Sequence, residues 1–179
     1  MVSSSRTRIM YTGIDYTLLG VVAIVSGLIF WGTWTVYKYA SFLPFGLYMS
    51  RLLSYGLWFI GAPLAASLIR KPGSAFLGET LGALVETILP TAGGFTNLIY
   101  GVSQGAASEI AYLLFRYKRY DMLTGALAGA LAAPPCIALD ILLFREIFPI
   151  PVTMMLLAAA AASGAIYGAI AAKVAQTLR

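Results

Sequence analysis

Histidine is absent from the 179 residues, cysteine occurs once, at Cys136, and Asp, Glu, Lys and Arg together make up only 11%. Without histidine there is no imidazole base to serve a nucleophile near neutral pH, and no imidazole ligand for a zinc site. A single cysteine closes no disulfide within the chain and reads most simply as a small, buried apolar residue. Phosphate-binding loops and paired metal ligands are missing as well. The sequence therefore predicts no enzyme, no cofactor and no metal. Lys and Arg number 12 against 7 Asp and Glu, a net charge of +5. These bases sit in small clusters between apolar runs, with no stripe that could track a phosphate backbone, which argues against nucleic acid as a partner.

What the chain has in abundance is apolar residues: 60% are hydrophobic and the mean hydropathy is +0.84. A helix needs about 20 apolar residues to cross a bilayer. The length therefore has room for about six crossings joined by short loops, with no separate soluble domain. Charge, proline and glycine divide the chain into apolar runs over residues 14–37, 43–69, 74–89, 95–115, 122–144 and 152–175. The expected fold is an all-α integral membrane protein, a six-transmembrane-helix bundle forming one substrate-binding domain over residues 1–179. The first run carries Asp15 near its start and ends at aromatics without a small-residue cleavage site, so it reads as a retained helix. With both termini cytoplasmic, Arg6, Arg8, Arg70, Lys71, Arg116, Lys118, Arg119, Lys173 and Arg179 fall on the inner side, leaving only Lys38, Arg51 and Arg145 elsewhere. The excess of positive charge in cytoplasmic loops selects this orientation in a cell membrane.

Within the runs, Trp31, Trp34, Tyr37 and Tyr39 gather at the outer end of the first, either as interfacial anchors or as a lid over a pocket. Small residues recur at four-residue spacing at Ala23 and Gly27, and again at Gly164, Gly168 and Ala172. Such faces allow close helix contact, within this chain or, for the first helix, with a separate membrane subunit. The Pro134–Pro135 pair removes two backbone donors and predicts a kink or break in the fifth run.

Glu79, Glu86, Glu109 and Asp140 all fall inside apolar runs, where a carboxylate costs several kcal/mol unless it faces the protein interior. Glu79 and Glu86 are seven apart and share a helix face with Gly82 and Ala83, a face able to line a cavity. Asn97, Tyr100, Gly101, Gln104 and Ser108 share a face of the next run. The only base well inside a run is Arg51, which would favour a neutral or anionic ligand if it reached the pocket. The acids then either serve structure, with Glu109 facing Arg116 as one arrangement, or bind a cationic or amine-bearing ligand in the outer half of the bundle.

Specific strings add to this: YGLWF at Tyr55 to Phe59, IRKPG at Ile69 to Gly73, Glu79, ALVE at Ala83 to Glu86, Gln104, Glu109 and RYKRYD ending at Asp121. From about residue 51 to 121 this set resembles the YkoE family. That family comprises substrate-capture S components of energy-coupling factor (ECF) vitamin transporters linked to thiamine or its hydroxymethylpyrimidine precursor. The resemblance implies a fold of ECF S-component type and capture of a small-molecule vitamin from outside. It also implies assembly with a transmembrane coupling subunit and two cytoplasmic ATPase domains, members of an ABC transporter that supply the energy of uptake. Glu79, Glu86, Gln104 and Glu109 match positions of the family pattern. The substrate-binding set expected on both grounds is Glu86, Gln104, Asn97, Tyr100, Glu79, Asp140, Tyr48, Trp58 and Arg51, with Ala23 and Gly27 at the partner interface. An aminopyrimidine would pair with the carboxylates and amides and stack on Tyr100, Tyr48 or Trp58. Alternatives are an S component for another vitamin, a secondary transporter moving protons through Glu79, Glu86 and Glu109, and an assembly subunit with no ligand.

Overall fold

A computed structural model of the chain describes residues 10–178. Arg6, Arg8 and Arg179, three of the bases expected on the inner side, lie outside the described residues. Among the described residues there are eight α-helices and no strand: α1 (Gly13–Ala40), α2 (Gly46–Ser54), α3 (Gly61–Ile69), α4 (Ser74–Ile88), α5 (Thr96–Leu114), α6 (Met122–Leu131), α7 (Ala133–Phe144) and α8 (Ile150–Thr177). A 3-10 turn over Tyr55–Phe59 joins α2 to α3.

Among the described residues, four stretches are long and apolar enough to cross a membrane: α1, α8 and the interrupted pairs Gly46–Ile69 and Met122–Phe144. With its exposed flanks of Val21, Ile24, Val25 and Leu28 on α1 and Ile166, Ile170 and Val174 on α8, the chain is a multi-pass membrane protein. The helix α4 has only 15 residues, about 22 Å at 1.5 Å per residue. α5 is longer, but Asn97, Gln104, Ser108 and Glu109 dilute its hydropathy.

Glycine determines how closely the helices approach. A Cβ on Gly129 would sit 1.9 Å from the carbonyl oxygen of Gly164, and one on Gly168 2.2 Å from that of Gly125. The pairs 125/168 and 129/164 have constant sums, so α6 and α8 run antiparallel with their backbones in contact, and the Gly164–Gly168–Ala172 face is used within the chain. Gly101 opposite Ala83 and Gly105 opposite Glu79 set α5 antiparallel to α4 in the same way. Asp15 pairs with Lys71 at the start of α4, and Trp34 bonds Glu86 near its end, so α1 and α4 run side by side in the same direction.

Both interruptions have local causes. Gly56 lies against α8, where a Cβ would meet the Ser163 carbonyl at 2.3 Å, and its N–H donates to Ser163 Oγ at 2.9 Å. This contact lies within the 3-10 turn that separates α2 from α3, and the Ser163 hydroxyl satisfies an N–H there. In the other run α6 ends at Leu131 and α7 begins at Ala133 with Pro134 and Pro135 in its first turn, where a missing N–H costs least. The expected break at the proline pair is present.

Candidate functional site

At the end of the bundle where α1 and α4 finish, the helices enclose a cavity of about 240 Å³. Its wall takes Phe30, Trp34 and Tyr37 from α1, Tyr55 and Trp58 from the 3-10 turn, and Ala83 and Glu86 from α4. Asn97, Tyr100, Gly101 and Gln104 come from α5, Cys136, Asp140 and Phe144 from α7, and Glu146 from the segment before α8. Ala83 and Gly101, which let α4 and α5 meet closely, lie on its wall beside the aromatic residues.

The rings pack on one another. Trp34 and Trp58 meet edge to face at 5.1 Å between centroids, Tyr55 and Trp58 at 5.8 Å, and Tyr37 stacks on Tyr55 at 6.3 Å. The carboxylates are held by side-chain donors: the Trp34 indole N–H donates to Glu86 Oε1 at 2.8 Å, and the Trp58 indole N–H is shared between that oxygen, at 3.3 Å, and the Phe30 carbonyl, at 3.0 Å. The Tyr55 and Tyr100 hydroxyls donate to the two oxygens of Asp140, each at 2.7 Å. Glu146 pairs with Arg51. Burial raises the Glu146 carboxyl above its ordinary range and the Arg51 guanidinium draws it back. The site thus offers three carboxylates, two amides and a cage of aromatic faces, a chemistry suited to a flat, amine-bearing or cationic organic molecule.

Six of the nine residues expected to bind substrate line this cavity: Glu86, Gln104, Asn97, Tyr100, Asp140 and Trp58. Three do not. Glu79 is wholly buried and accepts the Ala62 N–H at 2.8 Å, so it satisfies an amide at the start of α3 that the 3-10 turn leaves free. Tyr48 turns toward Met155 on α8, with its hydroxyl 3.9 Å from the sulfur. Arg51 lies behind the wall against Glu146, so it presents no free charge to an anionic ligand.

Glu109 does not face Arg116; it accepts the Gly73 and Phe76 N–H groups at 2.6 and 2.9 Å and caps the start of α4. Ala23 and Gly27 are buried, and a Cβ on Gly27 would lie 2.6 Å from Val85 on α4. That small-residue face is therefore occupied within the chain, and Gly20, Ile24 and Leu28 face outward instead. Ser108, deeper on the α5 face, donates to the Ala128 carbonyl at 3.0 Å and packs against α6.

Sequence reasoning left out Phe30, Tyr55, Cys136, Phe144 and Glu146 as wall residues, and it gave Trp34 and Tyr37 two roles. Tyr55 sat inside a string noted for its resemblance. Glu146 is the acid nearest in sequence to Asp140 and follows α7 by two residues, the signal that could have found it.

Comparison with known proteins follows the same lines. Over 122 residues the chain is 31% identical to a protein of Bacillus subtilis (strain 168) named as an HMP/thiamine permease, YkoE. The match takes in 64% of this chain and 57% of that relative, so it spans little more than half of the relative's length. A crystal structure of an S-component of an ECF transporter superposes with a TM-score of 0.86 at 26% identity, covering 94% of this chain and 86% of that one. These relatives, a permease and a transporter component, agree with the expectation that the chain is not an enzyme. Residues 14–134 match the ABC-type cobalt transport system permease components, and the chain belongs to that family.

Proposed function

We propose that the protein is the substrate-capture subunit of an ATP-driven importer of the energy-coupling factor type, and that it binds thiamine or a hydroxymethylpyrimidine-type precursor from outside. The observation that carries this reading is the cavity itself, with Glu86, Asp140 and Glu146 set among Trp34, Tyr37, Tyr55, Trp58 and Tyr100. A 4-aminopyrimidine has adjacent donors and acceptors for Glu86, Asn97 and Gln104. A thiazolium cation is attracted both by carboxylates and by ring faces. The names of the relative and of the structural neighbour point the same way. The family's description names cobalt, but no group of three or more His, Cys, Asp or Glu among the described residues is placed to hold a metal ion. An organic cargo suits this wall better.

In this reading the four long apolar stretches, α4 and α5 make six crossings, the shorter α4 being sheltered by α1, α3 and α5. The bases Arg70, Lys71, Arg116, Lys118, Arg119 and Lys173 belong to the end away from the cavity, as the Asp15–Lys71 pair and the Gln176–Tyr120 bond attest. Placing that end in the cytoplasm puts the cavity outside and both termini inside. Uptake then requires a transmembrane coupling subunit and two cytoplasmic ATPase domains, since this chain has no nucleotide-binding motif. The proton-carrier alternative loses ground because Glu79 and Glu109 are committed to backbone N–H groups.

The test is mass spectrometry of small molecules released from the purified, detergent-solubilised protein, followed by titration of thiamine into wild type and Glu86→Gln. Recovery of thiamine or an aminopyrimidine, with weaker binding in a folded Glu86→Gln protein, is expected. If nothing co-purifies and no thiamine-related compound binds, the substrate assignment falls.

A further inference from the structure

Arg51 and Glu146 form an arrangement that capture by aromatic faces and carboxylates does not require. Arg51 is completely buried. Of its five N–H donors, one on Nη2 meets Glu146, one on Nη1 donates to the Leu47 carbonyl at 3.2 Å, and Nε has no partner. Its guanidinium carbon stands 5.3 Å from the centre of the Tyr55 ring, a ring on the cavity wall. Glu146 is only half-buried, so the pair has one buried member with donors left unmet, and such a pair is weak evidence for stability because desolvation of the guanidinium offsets much of the attraction. Its effect is better sought in the neighbouring cavity.

The backbone aims Glu146 inward. α7 ends in a left-handed residue, Arg145 at φ 56°, and the Arg145 and Glu146 N–H groups both return to the Asp140 carbonyl. Around this turn Leu143, Phe144, Arg145 and Ile147 are exposed while Glu146 faces the interior. Glu146 lines the cavity, and together with Asp140 and Arg51 it also borders a void of about 10 Å³ behind the wall. The carboxylate therefore stands between the ligand space and the guanidinium.

We propose that Arg51 and Glu146 are a charge-selectivity pair: Glu146 is a ligand-facing carboxylate, and Arg51 is a positioning residue that holds it at the wall and cancels its charge. The proposal rests on the capture reading and adds which residues tune that cavity between cationic and neutral ligands of equal shape. With the pair intact, Glu86 and Asp140 are the carboxylates not matched by a base. Removing either member shifts the net charge at the wall by one unit, in opposite directions.

The experiment measures equilibrium binding of thiamine and of its thiophene analogue, which matches its shape without the positive charge, to the purified full chain in detergent. Wild type, R51Q, E146Q and R51Q/E146Q are compared. In E146Q the unopposed Arg51 should lower the preference for thiamine over the analogue about tenfold, and R51Q should raise it by a similar factor. The double variant should return to within about threefold of wild type, a strongly non-additive result. Equal loss of both ligands in the single variants without recovery in the double, or unchanged preference in all three, overturns the proposal. If a single variant is not recovered folded, R51K and E146D decide. They keep both charges and must keep the preference within about threefold, and a larger shift overturns it. A wild-type protein that binds neither compound overturns the capture reading itself and this proposal with it.

Discussion

The two ends of the bundle handle buried carboxylates differently. In the middle of the bundle and toward the end where α1 begins, two acids meet backbone alone: Glu109 caps α4 and Glu79 takes the Ala62 N–H at the start of α3, while Asp15, at the start of α1, takes the Thr12 N–H together with the Thr12 and Lys71 side chains. At the cavity end, acids meet side chains: Glu86 two indoles, Asp140 two phenols, Glu146 one guanidinium. A backbone donor belongs to a helix and moves only with it. A side-chain donor can turn on its own rotamer and be exchanged for a ligand's donor. The first arrangement builds a rigid frame, and the second leaves carboxylates able to change partners.

Substitutions sharpen this contrast. The largest effect belongs to the frame: Gly129→Val places a side chain into the Gly164 backbone and should destabilise the protein by about 3 kcal/mol or more. It would be read as loss of a monodisperse peak on size-exclusion chromatography in detergent. Glu79→Ala orphans the Ala62 N–H and should cost about 2 kcal/mol in thermal unfolding. The fraction that remains folded should still bind thiamine; loss of thiamine affinity out of proportion to folded protein would break the division between the two ends. Glu86→Gln should do the reverse, with little change in melting temperature and thiamine affinity weakened about tenfold or more, because an amide still accepts from the indoles but carries no charge.

Asp121 gives the smallest effect. It caps α6 through the Thr124 N–H at 3.0 Å, and that bond, aided by Arg119, holds its carboxyl below the ordinary value. Asp121→Ala should cost about 1 kcal/mol near neutral pH. Because the folded value is depressed, the contribution is full above the ordinary carboxylate range and disappears as pH falls through the folded value. Melting curves of wild type and variant should therefore converge in acid, and thiamine affinity should not change.

Much of the frame was legible from composition and spacing. The six apolar runs coincide closely with the helices and interrupted helices, since length and hydropathy are local properties. The Pro134–Pro135 break and the Gly164–Gly168–Ala172 contact were legible for the same reason: a missing N–H and a missing Cβ act wherever they fall. Of the site, the α5 face was readable from helical periodicity, which correctly grouped Asn97, Tyr100 and Gln104. The same periodicity put Glu79 and Glu86 together, and there it was incomplete. They do share a face of α4, but two turns separate them along the axis. One looks at the start of α3 and the other at Trp34 and Trp58.

By itself, then, the sequence determined that this chain lives in a membrane, where its apolar runs lie, which small residues permit close helix contact and that carboxylates lie inside. Each follows from the chemistry of a residue and its near neighbours. Only the tertiary structure decided what each carboxylate meets. The 3-10 turn, with Gly56 against α8, places the Ala62 amide level with Glu79 and the Trp58 indole level with Glu86. The left-handed turn at Arg145 brings Glu146 to Arg51, 95 residues away in sequence. Such partners depend on the depth and rotation of one helix against another, which no single run of residues encodes.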